Sequence, residues 1–103
     1  MSFIIIYVTH KNMKEAEKIC NYLLNKHLIA CANYFPIKSA FWWNGKIENS
    51  KEIVSIIKTK KENWPKVQKE IKKLHPYKVP CIMKINLESN KDYDSWIKTE
   101  TKP

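Results

Sequence analysis

Apolar residues run almost without a break from Phe3 to Thr9 (Phe-Ile-Ile-Ile-Tyr-Val-Thr). A β-branched run of this kind predicts a central strand covered on both faces. Asn12 then suits a helix N-cap, with Glu15 three residues on. Met13, Ala16, Ile19, Cys20, Leu23, Leu24 and His27 recur at helical spacing, and Glu15, Lys18, Asn21, Tyr22 and Lys26 take the opposite side. The spacing predicts an amphipathic helix of about four turns. From Leu28 to Glu48 the pattern turns extended, through Leu28-Ile29-Ala30-Cys31-Ala32-Asn33-Tyr34-Phe35 and Ala40-Phe41-Trp42-Trp43. Asn44-Gly45 follows, the dipeptide that best tolerates the two positive φ angles of a type I′ turn. The return strand starts at Lys46-Ile47 and resumes at Glu52–Thr59, with bends or bulges expected at Pro36 and at Asn49-Ser50-Lys51. The hairpin is longer than a compact sheet of this size requires.

Pro65 suits the first turn of a second helix. Trp64, Val67, Ile71 and Leu74 form its apolar stripe, and Lys66, Lys69, Glu70, Lys72 and Lys73 its wet face. Pro76 disfavours the α region at His75 and ends the helix. Cys81, Met83, Ile85 and Leu87 alternate with Ile82, Lys84 and Asn86 as a last strand. Asn90 or Asp92 is placed to cap a short terminal helix carrying Tyr93, Trp96 and Ile97. The order is strand, helix, strand, strand, helix, strand, helix. It predicts an α+β, ferredoxin-like βαββαβ sandwich with strand order 4-1-3-2, helices on one face, an extended β2–β3 hairpin and a C-terminal helix. The 103 residues make one domain, 1–103.

Charge and composition change the picture little. Hydrophobic residues make up 44% and charged residues 28%, a globular balance. Nineteen lysines against ten acids give a net charge of +9, and arginine is absent. Lysine, isoleucine and asparagine are what an AT-rich genome writes most easily, so the basicity is discounted as a sign of nucleic-acid binding, which favours the arginine fork. The cysteines, Cys20, Cys31 and Cys81, are odd in number and widely spaced, which points to free thiols in a reducing compartment. The first apolar run is too short for a signal peptide or a membrane span. A cytoplasmic protein without membrane or nucleic-acid partners is expected.

The fold hosts many functions, so the residues must decide. An RNA-recognition domain needs stacking aromatics on its third strand, and Glu52–Lys58 has none. A phosphatase or acyl-phosphate hydrolase wants arginine and a glycine-rich cradle, and the only glycine sits in the hairpin turn. No serine or cysteine shares a motif with a histidine, so no enzymatic activity is expected. One cluster is suggestive. The end of the first strand, at His10, lies near the start of the antiparallel fourth, at Cys81, and His75 is in the loop feeding that start. Imidazole and thiolate suit copper or zinc, so His75, Cys81 and His10 form a candidate metal site. Phe41, Trp42 and Trp43 place aromatics on both faces of the long hairpin, where only one face can meet the domain's own helices. A neighbouring copy's sheet edge is expected to cover the rest.

Ala30-Cys31-Ala32-Asn33, Pro36, Ser39, Phe41, Trp43, Gly45-Lys46-Ile47, Ile57-Lys58-Thr59, Leu74-His75-Pro76-Tyr77, Val79-Pro80, Asp92-Tyr93 and Trp96 together resemble the CutA divalent-cation tolerance family. The likeness is collinear along essentially the whole chain. It implies a homotrimer similar in shape to the PII signal transducers, with a role in tolerance to copper and other divalent cations and no established catalysis. The chain departs from the copper-linked bacterial members at Val8, where they carry Cys, and at Leu74, where they carry a second His. It also has Cys81 in place of the usual acidic residue and Ile37 in place of a glycine. Weak copper binding, through His75 above all, is therefore expected. An alternative is a PII-like sensor or scaffold that takes a small anion in clefts between subunits, with Lys58 facing such a cleft.

Overall fold

The structure, a computed structural model, describes residues 3–101. Seven elements follow in chain order: β1 (Ile4–His10), α1 (Met13–Asn25), β2 (Cys31–Trp43), β3 (Lys46–Thr59), α2 (Trp64–Leu74), β4 (Ile82–Asn86) and α3 (Lys91–Glu100). A 3₁₀ turn, Lys61–Asn63, leads into α2. The four strands form one antiparallel sheet in the order β2-β3-β1-β4. This is the predicted order, read from the other edge.

Strand alternation divides the sheet into two unlike faces. Ile4, Ile6 and Val8 of β1 share a face with Ile57, Ser55 and Thr59 of β3, and all six are buried. Ile19 and Leu23 of α1 and Val67 and Ile71 of α2 close over that face to make the core. Each of these fully buried aliphatic side chains contributes about 1.5–3 kcal/mol relative to exposure. The opposite face carries Ile5, Tyr7, Phe35, Ile56, Met83 and Ile85 in register. Phe35, Met83 and Ile85 remain 41%, 47% and 44% exposed. The expectation of helices on one face holds for α1 and α2. Tyr93 of α3 instead meets Phe3, ring centroids 5.7 Å apart, and Lys58, both at one end of the open face.

β2 and β3 pair without interruption from Cys31↔Lys58 to Trp43↔Lys46. Asn44 and Gly45 take φ of 51° and 78°, as the two-residue turn requires. The expected bulges at Pro36 and at Asn49-Ser50-Lys51 are absent. Register explains why. The two-residue turn makes Trp43 and Lys46 a hydrogen-bonded pair, so hydrogen-bonded pairs fall at odd positions of β2. Pro36 therefore points its missing N–H outward from an edge strand, where no ladder bond is lost. β1 ends opposite Ile53, so the outer half of this ladder projects beyond both β1 and the helices.

Two boundaries differ from the pattern. β4 spans only Ile82–Asn86, and α1 stops at Asn25 rather than at His27. His27 sits at φ 57°. Its N–H donates to the Leu24 carbonyl, and the Leu28 N–H donates to that of Leu23. This is a Schellman ending with histidine in the left-handed position that glycine fills best. Asn12 caps the other end as expected, its Oδ1 accepting from the Glu15 N–H at 2.9 Å. His27→Gly should stabilise the fold by about 0.5–1 kcal/mol, because a non-glycine residue is strained there. Urea unfolding checks this; an unchanged or lower midpoint would show that the contact of His27 Nδ1 with the Glu100 carbonyl, at 3.1 Å, outweighs the strain.

Candidate functional site

The loop from His75 to Cys81 folds back across the point where β1 ends and the long ladder leaves the core. α2 delivers His75 there because Pro76 stops the helix, and the His75 N–H closes the last turn on the Ile71 carbonyl at 2.8 Å. The backbone N–H of Tyr77 donates to His75 Nδ1 at 3.2 Å. A backbone N–H can only donate, so Nδ1 is unprotonated and Nε2 carries the proton, donating to the Thr9 carbonyl at 2.7 Å. Both ring nitrogens of His75 are thus used in fixing the loop to β1.

His10 is fully buried beside it, the two rings stacked with centroids 5.5 Å apart. Its Nε2 meets Ser55 Oγ at 2.7 Å, while Nδ1 is without a hydrogen-bond partner. Burial, and next the neighbouring His75, lower the His10 pKa to about 4, against a smaller opposing pull from Glu52. On the far side of the loop, the Tyr77 hydroxyl donates to Glu52 Oε2 at 2.6 Å. Burial and that bond push the phenol well above its ordinary value. Burial, then the charge of Glu52, also raise the Cys81 thiol, which makes it a poor thiolate donor at neutral pH.

Between this loop and the ladder lies a cavity of about 680 Å³, lined among others by Phe41, Trp42, Trp43, Glu48, Glu52 and Tyr77. Phe41 pairs with Glu48, and Trp43 with Lys46. The aromatics are there because the outer ladder has no helix over it; Trp42 is 71% exposed.

The structure brings His10 and His75 together, but no set of three described His, Cys, Asp or Glu side chains converges as metal ligands. A copper or zinc ion on His75 would have to displace one of its two hydrogen bonds, so the expected set of His75, Cys81 and His10 does not fit a metal in this arrangement. Lys58 does not line the cavity. Its Nζ donates to the Tyr93 hydroxyl at 3.3 Å and lies over that ring, at the opposite end of β3. The cavity's charged lining is Glu48, Glu52 and Lys78. Phe41, Trp42 and Trp43 lie on the projecting hairpin, Trp42 on the face opposite to Phe41 and Trp43. Glu52 was hidden in the sequence: its neighbours Lys51 and Ser50 make it look like part of a wet edge. Cys20, Cys31 and Cys81 are free thiols.

An antiparallel sheet in this order, with a helix pair on one face and a projecting hairpin, is a PII-like α+β protein. A solved structure described as the PII-like protein CutA from Nostoc sp. PCC 7120 superposes with a TM-score of 0.90 at 25% identity, covering 96% of this chain and 97% of that one. The CutA1 divalent ion tolerance protein family matches residues 4–100, and the chain belongs to that family. The divalent-cation tolerance protein CutA of Pyrococcus horikoshii is 44% identical over 100 residues, covering 96% of this chain and 98% of its own. A structure described as the periplasmic divalent cation tolerance protein CutA from Archaeoglobus fulgidus is 44% identical with a TM-score of 0.92, covering 95% of this chain and 97% of that one. Among the described residues, no helix is long and apolar enough to cross a membrane.

The buried His10 gives the fold an acid dependence with a definite sign. Its ordinary pKa is 6.5 and its folded value about 4, so between these values the unfolded chain binds a proton that the folded chain refuses. Stability should fall as pH drops from about 6.5 towards about 4, by at most about 3 kcal/mol from this group. Unfolding midpoints of the parent and His10→Gln, compared across that range at one protein concentration, check it. The variant should lose less stability on acidification, and parallel curves would contradict the assignment.

Proposed function

We propose that the protein is a non-catalytic, cytoplasmic homotrimer that works in tolerance of divalent cations. The observation that carries the reading is the open face of the sheet. Phe35, Met83 and Ile85 lie exposed there in one register-aligned patch, and the aromatic hairpin projects beyond it. A monomer leaving such a face in water invites non-specific association, whereas a closed ring of copies buries it. Membership of the CutA1 family and the likeness to a PII-like protein support three copies, with Phe41, Trp42 and Trp43 reaching across to a neighbour. Free thiols support a reducing compartment.

Copper and other divalent cations are bound weakly in this reading. A site needs its full coordination set, held in place by further hydrogen bonds, to be tight, and His75 is already committed to the loop. The role in cation tolerance therefore rests on the assembly more than on a preorganised metal centre.

Sedimentation velocity at micromolar concentration tests the assembly. The parent should sediment near 37 kDa, three times the 12.3 kDa chain. Ile85→Glu puts a charge into the proposed interface and should shift the distribution towards single chains while β4 remains paired. A parent that sediments as a stable single chain would defeat the reading.

A further inference from the structure

The geometry points to a binding site for a small organic ammonium ion, a primary amine or diamine, in the cavity between the hairpin and the 75–81 loop. The inference rests on the trimer only for whatever closes the outer side of that cavity. Glu52 carries the argument. Its side chain lines the cavity and the residue is 8% exposed. Oε2 accepts the Tyr77 hydroxyl at 2.6 Å, and no other described donor reaches the carboxylate. The chain has nineteen lysines, yet among the described residues none pairs with Glu52; the ion pairs are Lys73–Glu70 and Lys98–Asp94. A carboxylate has room for about four hydrogen bonds, so Glu52 keeps acceptor capacity at the cavity beyond the Tyr77 hydroxyl. A cation from outside the chain can take it up.

The walls select its chemistry. Phe41, Trp43 and Tyr77 set aromatic rings beside the carboxylates, whose faces attract a cation and whose bodies accept an alkyl stem. Glu48, opposite Phe41 in the ladder, supplies a second acceptor at the mouth. A divalent metal is a poorer match: it wants several converging oxygen, nitrogen or sulfur ligands, and no such trio is present among the described residues. A volume of about 680 Å³ also far exceeds what a bare ion fills. An ammonium group needs one or two acceptors and an apolar surround, which is what the cavity holds. Lys78 on the rim leaves the lining net negative by one charge, counted against Glu48 and Glu52.

Calorimetric titration of the full chain with 1,4-diaminobutane at low ionic strength tests the site, with 1-butanol as the neutral control. Diaminobutane should give a saturable heat and butanol none. Glu52→Gln keeps the shape and a partner for Tyr77 but removes the charge, and should weaken binding about tenfold or more. Trp43→Leu, at a half-exposed position that the fold tolerates, should weaken it several-fold. Sedimentation of the same samples separates this inference from the trimer reading. A single-chain parent that still binds the diamine would sustain the site and sink the trimer. A trimeric parent with no saturable heat, or a Glu52→Gln variant that binds like the parent, would overturn the site. So would a parent that ignores the diamine while Glu52→Gln loosens the trimer, because the counter-ion would then be a neighbouring copy's lysine.

Discussion

The uninterrupted β2–β3 ladder is the constraint on which the rest of the molecule depends. Its register is set at one place, the Asn44-Gly45 turn, and carried through thirteen residues of β2 to Cys31. Because side chains alternate with a period of two, that single turn decides which residues face the helices and which face outward along the whole hairpin. The inner half is locked by β1, whose buried Ile4, Ile6 and Val8 leave no freedom to slip. The outer half is held by the turn and by cross-strand pairs alone. The molecule is accordingly elongated, about 45 Å long against 24 and 21 Å in the other directions.

Where the ladder leaves the core, a polar chain replaces the apolar one. Ser55 meets His10, His10 stacks on His75, His75 binds Thr9 and Tyr77, and Tyr77 binds Glu52. Each link fixes the next in orientation, so the 75–81 loop is held against the sheet by specific geometry in addition to packing. Such a network is demanding, since a buried polar group left unpaired is costly in low dielectric. Among the described residues it leaves one buried side-chain atom without a partner, the Nδ1 of His10, which is consistent with a neutral ring. The acceptor capacity that Tyr77 leaves on Glu52 lies open to the cavity.

Much of the fold was legible because its signals are local. The alternation of β4, the apolar stripe of α2, the Asn12 cap and the Asn-Gly turn each name an element, and right-handed crossovers order the strands. The misreadings have physical reasons too. Pro36 looked like a bulge because a proline cannot donate, but whether its N–H is needed depends on register parity, which only the turn and the pairing define. His27 fitted the helical period, yet the chain turns there into the left-handed region. His75 looked like a ligand because imidazole can be one; its commitment to Thr9 and Tyr77 is a tertiary fact. Glu52 alternated with buried neighbours in a way that the adjacent Lys51 and Ser50 concealed. Lys58 was visible as a charge, but the docking of α3 that brings Tyr93 over it was not.

The central claim is that the outer ladder is completed by another copy of the chain. The two-residue turn places the N–H groups of Lys38, Ala40 and Trp42 on one free edge and those of Ile47, Asn49 and Lys51 on the other. Among the described residues none of these has a partner strand. Residue-resolved amide exchange of the native protein reads them directly. The account predicts that one of the two rows exchanges as slowly as the ladder amides beside it, because a neighbouring strand or loop pairs with it. If both rows exchange within seconds while β1 stays protected, the hairpin stands bare in water and the account fails.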